Sequence, residues 1–139
     1  MEKLRWEDRF TVNIASIDAQ HQKLIEMIND LEYSINHTPS TEDLASVLMR
    51  INKYSLQHFR HEEEILLKNQ YAGLDEHKAQ HQELIDKSNL FYENLLQNDN
   101  QQETALNLLM FLYDWWEKHI LESDQNYAKY FSTQEILIP

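Results

Sequence analysis

Only one glycine and two prolines punctuate the 139 residues of this chain. Tight hairpins draw on turn positions that Gly, Asn and Pro supply, so a chain so poor in Gly and Pro has few ways to build a sheet. The implied class is all-α. Pro39, Gly73 and the polar run Asn98-Asp99-Asn100-Gln101 mark three breaks, which separate four helices. The expected spans are roughly 18–37, 40–70, 75–97 and 101–130, behind an arm over 1–17 whose Trp6 and Phe10 pack on the outside. Residues 1–139 are expected to form a single domain.

Asp18 is the expected N-cap of the first helix, and Ser40 that of the second, with Asp43 as the acid of a capping box. Apolar residues recur at spacings of three and four on every segment: Leu24, Ile28, Leu31 and Ile35, then Leu44, Leu48 and Ile51, then Leu84, Phe91 and Leu95, then Leu108, Leu112 and Trp116. Short connections place successive helices antiparallel, giving an up-down-up-down four-helix bundle with an N-terminal arm. Hydrophobic residues at 42% supply enough material for its core.

The formal net charge of −12 has the wrong sign for nucleic acid or an anionic membrane surface. The absence of cysteine excludes disulfides, thiolate metal sites and a cysteine nucleophile. Any metal must therefore bind through nitrogen and oxygen. No signal-like or membrane-spanning apolar run is present, so a soluble cytoplasmic protein is expected.

Polar residues interrupt the apolar seams at one level. On the second helix the stripe reads Leu48, Ile51, Ser55, His58, Glu62, Ile65; on the third, His77, His81, Leu84, Ser88. His21 heads the first stripe and His119 continues the fourth beyond Trp116. In an antiparallel bundle the starts of helices one and three meet the ends of helices two and four, so all of these side chains converge at one end. A lone histidine on an apolar stripe is ordinarily a core residue satisfied by a hydrogen bond. Five histidines and a glutamate in one layer are another matter, because each unpaired buried polar group costs about 1–3 kcal/mol. Too many for one tetrahedral ion, they imply two metal ions with shared carboxylates, and imidazole-rich ligation suits iron.

The segments Ile17-Asp18-Ala19-Gln20-His21, His58-Phe59-Arg60-His61-Glu62, His77-Lys78-Ala79-Gln80-His81 and Trp115-Trp116-Glu117-Lys118-His119, with Asp124 beyond, occur in the order that resembles the hemerythrin family, in particular its bacterial single-domain members. The resemblance implies that His77, His81 and His119 hold one iron, His21 and His58 the other, and that Glu62 and Asp124 bridge them together with an oxo or hydroxo group. Of twelve octahedral positions this leaves one vacant, where molecular oxygen would bind reversibly. It further implies a dry pocket, here Leu24, Phe59, Trp115, Trp116 and Ile120. The expected role is oxygen carriage or storage rather than catalysis, with an oxygen-consuming enzyme as recipient and the chain acting as a monomer. The alternative is an oxygen or redox sensor, or a protein handling peroxide or nitric oxide; the end of the chain at Pro139 leaves no room for a signalling domain and favours the carrier.

Rival metal chemistries fit less well. Ferritin-like oxidases need Glu-x-x-His, which is absent, and a His-Glu-x-x-His protease motif fails at Ile65. Within the resemblance, Asn13 stands where glycine is usual and Trp116 where a smaller leucine is usual. Asn13 tolerates a left-handed turn. Trp116 is expected to slow ligand entry if its indole N–H has a partner elsewhere, and to donate to the ligand if it points into the pocket. His61 lies about 60° off the His58 line and His37 at the far end of its helix, so both are expected in solvent. Asp124 lies about 140° round a regular helix from His119, against about 60° for Glu122. Because the resemblance favours Asp124, a π-bulge or bend is expected between Ile120 and Asp124.

Overall fold

The computed structural model describes residues 4–37, 40–97 and 100–139; Pro39 and the Asn98-Asp99 part of the third expected break lie outside them. Four long helices, α1 (Ala15–Asn36), α2 (Thr41–Lys68), α3 (Leu74–Gln97) and α4 (Gln101–Lys118), form the bundle; a π-helical segment, His119–Asp124, leads into α5 (Gln125–Phe131). Helix α1 packs on α2 and α4, and α3 on α2 and α4, which closes the square. No strand occurs among the described residues.

The start of α2 is the expected capping box: Asp43 N–H donates to Ser40 Oγ at 3.1 Å and Ser40 N–H to Asp43 Oδ2 at 3.3 Å. The start of α1 differs from expectation. The helix begins at Ala15, and Asp18 lies inside it, where its carboxylate accepts from Val12 N–H at 2.9 Å and from the Thr11 hydroxyl. The acid that resembles a helix cap instead holds the arm. Asn13 carries the left-handed turn before α1, at φ 61°.

The arm does not stay outside: Leu4, Phe10, Val12 and Ile14 are all buried. Between α2 and α3 the left-handed residue is Gln70, at φ 57°, which lets Tyr71 N–H donate to Leu66 C=O at 3.0 Å and close the helix end. Gly73 is needed for another reason, since a Cβ there would lie 2.8 Å from the Tyr71 ring. That ring packs against Tyr127, Tyr130 and Phe131, so it has little room to retreat.

The large core runs along the bundle through Leu24, Ile28, Leu48, Leu84, Leu112 and Trp116. A smaller apolar cluster closes one end, drawn from the arm (Val12, Ile14), α2 (Ile65, Leu66) and α5 (Tyr127, Phe131). The polar layer of histidines and carboxylates is buried between the two.

Candidate metal centre

His21 is on α1, His58 and Glu62 one turn apart on α2, His77 and His81 one turn apart on α3, and His119 and Asp124 on the π-helical segment. An i→i+5 turn brings residues five apart onto one face, so the wider turn carries Asp124 into the core and leaves Glu122 exposed. All seven candidate side chains are buried and meet at the same level.

The two carboxylates each divide their oxygens between two groups of imidazoles. Glu62 Oε1 lies 2.6 Å from His77 Nε2 and 3.0 Å from His81 Nε2, and Asp124 Oδ1 lies 3.1 Å from His77 Nε2 and 3.2 Å from His119 Nε2. The other oxygens face the second group. Glu62 Oε2 is 3.5 Å from His58 Nε2 and 3.9 Å from His21 Nε2, and Asp124 Oδ2 is 3.2 Å from His21 Nε2. Ligand atoms of Glu62, His77, His81 and His119 lie within 4.8 Å of one another, as do those of His21, His58 and Glu62.

Groups behind the imidazoles fix how they point. His58 Nδ1 lies 2.7 Å from the Gln20 carbonyl oxygen and His81 Nδ1 2.7 Å from Glu63 Oε2; both oxygens can only accept, so each Nδ1 carries the proton and each Nε2 lone pair faces inward. The Tyr127 hydroxyl donates to Glu62 Oε2 at 2.9 Å. Sequence reasoning did not assign these roles to Gln20, Glu63 and Tyr127. Gln20 and Glu63 stand beside a ligand in the chain, and Tyr127 follows Asp124 by three residues, one turn along α5. That adjacency is the only signal they offer.

Burial alone would raise both carboxyls, but the imidazoles around Glu62 and those of His119 and His21 around Asp124 hold both well below the usual carboxylate range. The layer is therefore anionic at neutral pH. Burial lowers His77 too, yet hydrogen bonds to Asp124 and Glu62 outweigh it and raise the imidazole to about 10. Burial prevails at His58, which is lowered to about 4.

Several buried atoms of the layer have no hydrogen-bond partner among the described residues: both nitrogens of His21, Nε2 of His58, His81 and His119, and both oxygens of Asp124. Nitrogen and oxygen lone pairs left bare around two ionised carboxylates fit divalent cations.

The model of the hemerythrin HHE cation binding domain matches residues 12–131. The chain belongs to this family. It is 30% identical over 126 residues to a bacteriohemerythrin of Clostridium acetobutylicum, spanning 88% of this chain and 96% of the relative. A bacteriohemerythrin of Stenotrophomonas maltophilia is 29% identical over 128 residues, spanning 92% and 81% of the two chains. Among solved structures, a wild-type hemerythrin superposes with a TM-score of 0.80 at 25% identity, covering 92% of this chain and 97% of the other.

Of the expected pocket residues, Leu24, Phe59, Trp116 and Ile120 are buried, and Trp116 lies beside His21 and His58, with ring centroids 6.2 and 5.9 Å away. Trp115 is placed differently. It stacks on His119 at 4.4 Å and lines a surface cleft with Lys118 and Glu122, away from the two-histidine side. His61 is half-buried rather than solvated, its Nε2 lying 2.8 Å from Ser16 Oγ. His37 is exposed and stacks on Tyr33.

Proposed function

We propose that the chain binds molecular oxygen reversibly at a non-haem di-iron centre, as a carrier or store in the cytoplasm rather than as an enzyme. The observation that carries this reading is the division of the two carboxylates, each with one oxygen toward His77, His81 and His119 and the other toward His21 and His58. Such a set would hold one iron with three imidazoles and a second with two, Glu62 and Asp124 bridging them beside an oxo or hydroxo group. The three-histidine ion is then filled and the two-histidine ion keeps one position free. Two ferrous ions together can supply the two electrons that oxygen takes up and returns.

The chain's own residues set the terms of that exchange. Gln20 and Glu63 hold the imidazole lone pairs inward, so the ligands are oriented before any ion arrives. Leu24, Phe59 and Ile120 line the layer with carbon and keep water and protons away from it. Tyr127 fixes Glu62 from the opposite side.

The test is metal analysis of protein made with iron available, followed by absorption spectra through cycles of oxygen and inert gas. Two irons per chain, with an oxygen-dependent band that disappears when oxygen is removed, are expected. One metal per chain, zinc throughout, or oxidation complete on the first exposure would overturn the proposal.

A further inference from the structure

The buried groups that lack partners are unevenly distributed. In the three-histidine group, His77 is hydrogen-bonded to Glu62 and His81 is anchored by Glu63. Around the two-histidine group, both nitrogens of His21, Nε2 of His58 and the indole Nε1 of Trp116 are all unpartnered among the described residues. A cation can satisfy the imidazole lone pairs. It cannot satisfy the indole, which is a donor and needs a lone pair from something else.

No neighbour provides one. Trp116 is 1% exposed, stacks on Phe59 at 5.5 Å and meets Trp115 edge-on at 5.1 Å. Leu24 and Ile120 are carbon only, and the Ser55 hydroxyl, one turn before His58, is itself unpartnered. An indole N–H buried without an acceptor costs about 1–3 kcal/mol. The place where that deficit can be made good is the free position expected beside His21 and His58, whose occupant carries lone pairs.

We propose that the Trp116 indole N–H donates a hydrogen bond to the outer atom of a small ligand bound on the His21 and His58 side, making Trp116 the residue that selects for hydrogen-bond-accepting ligands there. The inference rests on the di-iron reading above. It converts a pocket otherwise lined with carbon into one that discriminates by charge and lone pairs, favouring dioxygen species that accumulate negative charge, and small anions, over neutral ligands of equal size. Trp116 is thus more than a lid: it slows entry by its bulk and holds what enters by its N–H.

The probe is azide, a small anion with a terminal lone pair, titrated by absorption into the oxidised, iron-loaded protein. Trp116→Phe keeps an aromatic ring and removes the donor. The variant is expected to keep both irons and to bind azide roughly tenfold or more weakly, the scale of one hydrogen bond to a charged group. In the parent, the indole 15N–H resonance that the variant lacks is expected to shift when azide is added. Equal azide affinity in parent and variant, or an indole resonance that azide leaves unmoved, overturns the proposal. Should Trp116→Phe lose iron, the parent's indole resonance decides alone. A parent without two irons overturns the di-iron reading and this inference with it, whereas a parent with two irons and an indifferent indole overturns this inference only.

Discussion

The two sides of the metal centre are built from the same side chains and held very differently. On the three-histidine side, His77 bonds to Glu62 at 2.6 Å, Glu63 grips His81 from behind, Phe59 stacks on His81 at 3.8 Å and Trp115 on His119 at 4.4 Å. On the two-histidine side Gln20 holds His58, but His21 has no hydrogen-bond partner at either nitrogen among the described residues. An imidazole pinned from behind loses little freedom on meeting a metal, and an unpinned one loses more. The contrast separates a side that retains its ion from a side that exchanges ligands, although both share Glu62 and Asp124.

The largest effect should come from abolishing what the sides share. Glu62→Ala removes a carboxylate that touches both groups, so both irons should be lost. The buried imidazoles are left without their counter-charge, at a cost of about 3–5 kcal/mol in folding stability. Metal analysis and denaturant unfolding check this, and a variant that still holds two irons would end the idea of a shared bridge.

Removing one ligand at a time should then separate the sides. His21→Ala is expected to retain about one iron per chain, because the three-histidine group survives, whereas His81→Ala should retain fewer because it takes a ligand from the better-held side. Equal iron contents would dissolve the comparison. A smaller change comes from behind the ligands, where Glu63→Ala and Gln20→Ala should each weaken metal binding about 10–100-fold. Competition with a chelator measures both. The loss should fall on the first ion removed in Gln20→Ala and on the last in Glu63→Ala. Least of all, Tyr127→Phe removes one hydrogen bond to Glu62 and should lower stability by about 0.5–1.5 kcal/mol with iron content unchanged; a loss of iron there would make the phenol part of the binding site.

The bundle was legible because its causes are local. Scarce Gly and Pro, stripes at three and four, and the Ser40–Asp43 box all lie within a few residues of what they determine. The histidine layer was legible for the same reason, as an interruption in four apolar stripes. What escaped depends on contacts between distant parts of the chain. Asp18 reads as a helix cap because nothing in its vicinity reveals that Thr11 and Val12 will claim its carboxylate. Gly73 reads as the turn residue, yet Gln70 takes the left-handed position and Gly73 answers to the Tyr71 ring. Trp115 and Trp116 are adjacent in sequence, and only the packing shows that one stacks outside His119 while the other lies beside His21 and His58.

The π-helical segment also has a consequence for the history of the chain. His58 and Glu62 are four residues apart on a regular helix, and His119 and Asp124 are five apart on a wider turn, yet each pair places an imidazole and a carboxylate one turn apart on a single face. The second pair is thus the first with one residue inserted. A regular helix would spread such an insertion as a change of phase along everything downstream, turning Tyr127 and Phe131 away from the end of the bundle. Confined to six residues, the surplus is absorbed where it arises, and α5 resumes in register. Insertions and deletions are therefore survivable at this one point of a helix that elsewhere could not tolerate them, and the exposed stretch around Glu122 is where the chain can change length without losing its ligands.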